Sequence, residues 1–317
     1  MRPSASAQPL QARCLALLAA LGLDALLGDP PNVAHPVAWL GRWVGLGERL
    51  APRGDVARLA WGALWLALSA GGAGALAALA PRHTLAQGAL ASTLLAYRAL
   101  DRAVAAVQRA LELGDLADAR RLLSWHLVSR PTAALPADEV AAAAIESLAE
   151  NLSDSLVAPA LAYLAGGLPA LAIYRLSNTA DAMWGYRTER YEMLGKPAAR
   201  LDDLLNLAPA RLTAALLALS AELTRGRGAA AWRVAQRDAG RTASPNAGWP
   251  MAAMAGALDT TLTKRDHYSL GDGPRTAGPA MIGEARAVAR ALVGLLVAAL
   301  ALAALSARKG QACSSRG

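Results

Sequence analysis

Leu59–Ala80, LAWGALWLALSAGGAGALAALA, carries no charged side chain over 22 residues. As a helix it is about 33 Å long, enough to cross the roughly 30 Å hydrocarbon core of a bilayer. Its glycines, Gly71, Gly72 and Gly74, suit close helix packing. Ala291–Ala307 is equally free of charge, and Leu10–Leu27 is a third apolar block, interrupted by Arg13 and Asp24. The chain is 55% hydrophobic, above the roughly 45–50% of soluble domains, and the excess comes in these blocks. The pattern predicts an all-α, polytopic integral membrane helical bundle with amphipathic extramembrane helices and cytoplasmic loops. A soluble Ala/Leu-rich protein with buried core helices fits the block lengths less well.

Working outward, Arg2 and Arg13 before an apolar run resemble a signal peptide. Asp24 and the following GDPP replace a small-residue cleavage site, so the run is expected to be retained. Pro30, Pro31 and Pro36 forbid a continuous helix. Trp39 and Trp43 then mark Pro36–Leu50 as a short interfacial helix. Thr84–Leu100 is expected to return as a second span after a turn at Pro81. Asp101–Ser129 has helical apolar spacing and many charges, which predicts an extramembrane hairpin broken at Gly114. A helix restarts near Asp138, an N-cap or first-turn acid. Leu156–Tyr174 is interrupted by Gly166, Gly167 and Pro169, which predicts a re-entrant or tightly bent element, and Leu204–Leu223 is expected to bend near Pro209. No strand pattern is evident. The 317 residues are read as a single domain.

The formal charge is +8, with most Lys and Arg between the apolar blocks. Such loops belong on the cytoplasmic side near anionic lipid, and they also suit an anionic substrate. No nucleic-acid-binding motif or long basic run is present, and Cys14 and Cys313 form neither a disulfide framework nor a metal set.

The polar residues that interrupt the apolar sequence between Ile145 and Arg211 are the candidates for chemistry, because acids and amides are costly to bury without partners. Glu146, Glu150 and Asp154 recur at i, i+4 and i+8, within about 80° of one helix face; Asn151 sits at its edge. A magnesium ion suits such oxygens, and a solvated helix face explains them equally well. Asn178 and Asp181 share a helix face, as do Asp202 and Asn206, with Asp203 adjacent. Asp202 and Asp203 also fit plain helix-dipole complementation. Arg211 suits either a phosphate or carbonyls freed by Pro209. Ser244 and Asn246 lie in a loop before MAAMAGAL that offers N–H groups to an anion or is simply a capped turn. Asp29 and His35 pair a carboxylate with a base or a structural hydrogen-bond partner. No Walker, dinucleotide-binding, HExxH or GxSxG motif is present.

The strings LDALLGDPPNVAHPVAWLGR, AIESLAENLSDSLVAPALAYLAGGLPALAIYRLSNTADAMWGY, ERYEMLGKPAARLDDLLNLAPARLTA and SPNAGWPMAAMAGAL run in order from about Leu23 to Leu258. Together they resemble the CobD/CbiB membrane family, the adenosylcobinamide-phosphate synthases, with the likeness covering about residues 15–290 and weakening through Tyr268 and Gly283. The resemblance implies a multi-pass inner-membrane enzyme of cobalamin biosynthesis. Such enzymes join adenosylcobyric acid, a corrinoid, to aminopropanol or its phosphate through an amide bond, using ATP. Magnesium, membrane lipid and partner proteins of the pathway are implied; nucleic acid is not. On that reading Glu146, Glu150, Asp181 and Asp202 are the expected catalytic acids. Asp29, His35, Asn151, Asn178, Asn206, Arg211, Ser244 and Asn246 are expected to bind substrate or nucleotide, and Asp154 and Asp203 the metal, on the cytoplasmic side. Two departures stand out: Pro131 occupies the place of an acid usual after the arginine of SRPTAAL, and Ala180 and Ala182 stand where Leu and Ser are common. A corrinoid or anion transporter and an AmpE-like membrane sensor are the alternatives. The first needs matched helix interruptions in two halves of the chain, and the second needs few of these acids.

Overall fold

The computed structural model describes residues 8–314, with side chains through Arg308. The N-terminal start, including Arg2, and the side chain of Cys313 in the tail therefore lie outside what is described. The elements are α1 (Leu10–Leu27), α2 (Pro36–Arg49), α3 (Asp55–Ala78), α4 (Thr84–Ser92), α5 (Tyr97–Glu112), α6 (Leu116–His126), α7 (Ala137–Leu152), a π turn (Ser153–Val157) and α8 (Ala158–Trp184). There follow α9 (Lys196–Arg225), α10 (Gly228–Asp238), α11 (Gly248–Leu258), the strands β1 (Leu262–Lys264) and β2 (Tyr268–Leu270), and α12 (Pro279–Ser314). Five helical stretches are long and apolar enough to cross a membrane: α1, α3, the run Ala137–Trp184, α9 and α12. On α3, Leu64, Leu68 and Leu76 are all more than half exposed. Leucines facing outward on helices of this length match lipid as the surrounding solvent. The protein is a multi-pass membrane protein of the all-α class.

Contacts gather the chain into two units. The first takes the described residues through Ala96, Ala158–Leu205 and those from Val297; the second takes Tyr97–Val157 and Asn206–Leu296.

In the first unit α3 packs along α8, and α1 along α4. Small residues allow the approach: a Cβ on Gly74 would meet Ile173, and one on Gly88 would meet Ala16 and Ala19. Val44, Leu66, Leu176, Trp184 and Leu194 form one core cluster. The run Ala137–Trp184 has 48 residues, about 72 Å if straight, and it is not straight. Gly167 takes φ 68°, ψ −157°, a conformation open to glycine, and divides α8 into two arms as GGLP predicted. Arg13 donates from Nη1 to the Leu164 and Ala165 carbonyls, at 2.8 and 2.9 Å. The charge that weakened α1 as a span therefore satisfies backbone groups freed by the break.

One expected span is corrected. Thr84–Leu100 does not cross as a single helix: α4 ends at Ser92 and α5 starts at Tyr97. The Ser92 and Thr93 hydroxyls donate to the Ala89 and Leu90 carbonyls, local bonds that compete with helix continuation. Nine residues make only about 13 Å of helix.

In the second unit α5 and α6 form the expected hairpin, turning at Gly114 with φ 74°. Both pack on α7, as does α11. Asp138 and Glu139 occupy the first turn of α7. The antiparallel pair β1–β2 was not foreseen; Lys264 faces Tyr268 across it, and Asp266 takes φ 60° in its turn. Arg265 at that turn is ion-paired with Glu139, which ties the strands to α7. Behind them, Asp238 is fully buried. It accepts two bonds from Arg237 at 2.8 Å and one from the Gly271 N–H at 2.8 Å. The Arg237 hydrogen bonds hold its carboxyl below the usual carboxylate range, with help from the Gly271 amide.

Candidate functional site

Each unit gathers part of the polar set. In the second, Glu146 lies on α7 among buried alanines and leucines and is itself only 5% exposed. Its Oε1 has no hydrogen-bond partner. Arg130, in the loop before α7, and Lys264 on β1 supply positive potential to this carboxylate, and the Tyr268 hydroxyl lies near enough to act on it. Tyr268 also points its Oη at Met251 Sδ, 3.7 Å away on α11. Burial, followed by the Glu146 and Glu150 charges, raises the Tyr268 phenol above its ordinary range. Glu150 follows one turn along α7, half-buried. Asn151 donates to the Ser147 carbonyl at 2.9 Å. Asp154 falls in the π turn, so the α-helical step on which the three-acid face rests ends at Leu152. π turns inside helices recur at functional sites.

The same unit carries a second grouping at the start of α11. Arg211 lies over the Trp249 ring, 5.0 Å from its centroid. It donates to the Leu207 carbonyl at 2.7 Å and approaches Asn246 Oδ1 at 3.4 Å. Asn246 is buried, and Ser244 Oγ accepts from the Asn246 N–H at 3.2 Å. The Leu207 carbonyl takes one edge of the guanidinium while the Trp249 ring covers a face. Asn206 is buried on α9.

In the first unit Asn178 Nδ2 donates to Asp202 Oδ1 at 3.3 Å, and Arg175 Nη1 donates to Asn178 Oδ1 at 3.3 Å. This joins α8 to the first turns of α9 through a buried arginine, a buried acid and the amide between them. Asp181 closes the end of α8: its carbonyl accepts from the Gly185 N–H at 2.6 Å, and its carboxylate lies where a Cβ on Gly185 would sit. Asp203 lines a cleft beside Trp184. Asp29 and His35 are 3.8 Å apart, and His35 Nδ1 accepts from the Val37 N–H at 3.1 Å. His35 thus caps α2, the structural role weighed for it.

Among the described residues no three of His, Cys, Asp or Glu gather as a metal-ligand set. Asp154 and Asp203 belong to different units. Arg175, Lys264, Tyr268 and Arg130 are the participants not singled out as site residues from sequence. Arg175 was legible as a lone cation inside LAIYRLSN, and Tyr268 lay in the weaker part of the resemblance. Lys264 and Arg130 carried no local signal.

The described residues thus form a predominantly helical, multi-pass membrane protein, with a buried carboxylate near cations in one unit and an arginine–amide–acid chain in the other. The sequence places it more narrowly. The chain belongs to the CobD/CbiB family, matching the family described as CobD/Cbib protein over residues 17–307. It is 39% identical over 283 residues to the cobalamin biosynthesis protein CobD of Dehalococcoides mccartyi, covering 84% of this chain and 90% of the relative. It is 41% identical over 258 residues to CobD of Klebsiella pneumoniae, covering 78% and 81%. It is 38% identical over 258 residues to the cobalamin biosynthesis protein CbiB of Salmonella choleraesuis, again covering 78% and 81%. No solved structure matches it.

Proposed function

We propose that this protein is an amide-forming ligase of cobalamin biosynthesis, joining the carboxylate of a cobyric-acid-type corrinoid to aminopropanol or its phosphate. Family membership supports the pathway. The observation that carries the reaction is Glu146: a buried carboxylate with one unpartnered oxygen, beside Arg130, Lys264 and Tyr268.

A carboxylate is a poor electrophile, so amide formation needs prior activation, and ATP with magnesium supplies it by phosphorylating the acid. Magnesium characteristically takes one or two protein carboxylates and completes its shell with water and phosphate oxygens. With no three acids gathered among the described residues, Glu150, one turn from Glu146, fits an ion that arrives with its nucleotide better than a resident metal cage. In this chain Glu150 would hold that ion, and Lys264 and Arg130 would offset charge building on the reacting oxygens. As the amine nitrogen bonds to the activated carbon, the acyl C–O bond to phosphate breaks and inorganic phosphate leaves; Glu146 would take the proton the nitrogen loses, with Tyr268 orienting it. Arg211, stacked on Trp249, would grip a phosphate through the N–H groups that the Leu207 carbonyl leaves available. An inner-membrane location with this centre on the cytoplasmic side follows from where ATP is available.

The break at Gly167 invites comparison with discontinuous transporter helices. Arg13 already occupies the carbonyls it frees, which favours the enzyme. The test is a purified, detergent-solubilised chain given magnesium-ATP, adenosylcobyric acid and either amine. A product carrying one new amide, identified by mass, supports the reading. No product from either amine in a folded preparation, with the pathway's partner proteins added, overturns it.

A further inference from the structure

The hairpin of α5 and α6 carries a groove of about 370 Å³, lined in part by Arg102, Ala105, Ala106, Arg109, Leu113 and Leu122. Two stripes in the sequence set it out. Arg102, Ala106, Arg109 and Leu113 recur at i, i+4, i+7 and i+11 along α5 and just past its end. Asp118, Leu122 and Trp125 recur at i, i+4 and i+7 on α6. The opposite stripe of α5, Leu100, Val104 and Val107, is buried, so α5 keeps one face for the core and one for the groove. Alanines at the lining leave room above them for an incoming side chain.

This face is apolar and cationic together. Leu113 and Trp125 are 77% and 76% exposed, and neither α5 nor α6 is among the stretches long and apolar enough to cross a membrane. Arg102 and Arg109 are exposed and have no ion-pair partner among the described residues. They stand about 10 Å apart along the helix axis. Asp118, the acid of the groove, is already paired with Arg121 at 2.6 Å. The groove therefore offers two uncompensated cations to whatever occupies it, which selects an acidic occupant.

We propose that this groove docks an acidic amphipathic helix of a partner protein. Such a helix lays its apolar stripe over Ala105, Ala106 and Leu122 and sets two carboxylates, two turns apart, on Arg102 and Arg109. Trp125, on the α6 stripe and open to solvent, is the kind of aromatic anchor from which interfaces draw most of their energy. A flat anionic leaflet would meet the same two arginines, but also Glu112, Asp115 and Asp118 toward the hairpin tip, which it repels. A mixed pattern of this kind calls for a partner with its own register of charges. The inference does not depend on the amide-forming reaction.

The probe is a fluorescent, stapled amphipathic helix with leucines on one face and two glutamates two turns apart at its edge. It is titrated by anisotropy into the full chain in phosphatidylcholine nanodiscs. Saturable binding is expected, weakened about tenfold or more in Arg102→Gln/Arg109→Gln. A several-fold loss is expected in Trp125→Ala, and for a probe whose glutamates are replaced by glutamines. Arg53→Gln, between α2 and α3, should leave binding unchanged. If the double variant fails to fold, the single Arg109→Gln is read in the same way. No saturable binding to the wild type overturns the proposal. So does full affinity in the folded groove variants, or an equal loss in Arg53→Gln. Protection of residues 102–125 from hydrogen exchange on replacing phosphatidylcholine by phosphatidylglycerol, with no probe bound, assigns the face to a membrane surface and overturns it too.

Discussion

The substitution Asp238→Asn should loosen the scaffold under Glu146 without touching the site itself. Asp238 is fully buried and accepts from Arg237 twice and from the Gly271 amide once, with Arg241 at 3.2 Å. Gly271 directly follows Leu270, the end of the strand that carries Tyr268. An asparagine keeps the volume, loses the charge and turns one donor toward existing donors. Breaking a buried ion pair costs about 3–5 kcal/mol. Arg237 and Arg241 are 40% and 51% exposed, so water recovers part of their loss, and ~2–4 kcal/mol is the discounted figure. For a chain of this size that lowers the melting midpoint by roughly 4–10 °C. The sign with pH follows from the depressed carboxyl. The stabilisation is complete above the unfolded carboxylate value, near 4, and vanishes as pH falls through the lower folded value. The wild-type chain and the Asp238→Asn variant are compared by thermal melts in detergent across about pH 3–8, with Trp fluorescence as the probe. A gap at neutral pH that closes below about pH 4 is expected. A gap that is independent of pH, or absent at neutral pH, refutes the assigned role of the carboxylate.

Other outcomes follow from the site. Glu146→Gln should lower amide formation about 10²–10⁴-fold with little change in melting midpoint, and a wild-type rate removes Glu146 from the chemistry. Asp181→Ala and Asp202→Ala should abolish turnover while membrane insertion persists; unchanged rates would place neither acid in the site. Arg13→Ala should strip the cap from Leu164 and Ala165 and cost ~1–3 kcal/mol, read as a lower melting midpoint, with no loss expected from Arg82→Ala as a control. A strain lacking this protein should regain growth on cobinamide but not on cobyric acid; growth on both would move its step elsewhere.

Much of the fold was legible because lipid imposes length and apolarity directly on sequence. An uncharged run such as Leu59–Ala80 has few ways to satisfy its backbone except as a helix. The breaks at Gly114 and Gly167 were legible as well, since a positive φ calls for glycine. Thr84–Leu100 was misread as a span because its end is set by two hydroxyls bonding backward, which apolar pattern does not register. The short β1–β2 pair escaped because three-residue strands carry almost no period-2 signal.

For the candidate site, sequence alone singled out acids and amides as candidates, because polar groups set in apolar helices stand out against their cost. Their partners were decided by tertiary structure. Arg130 and Lys264 act on Glu146 only because the loop before α7 and strand β1 come back to the same helix. Arg13 reaches a helix break some 150 residues away. Such pairings join segments far apart in the chain, and one sequence holds no local trace of the contact that brings them together.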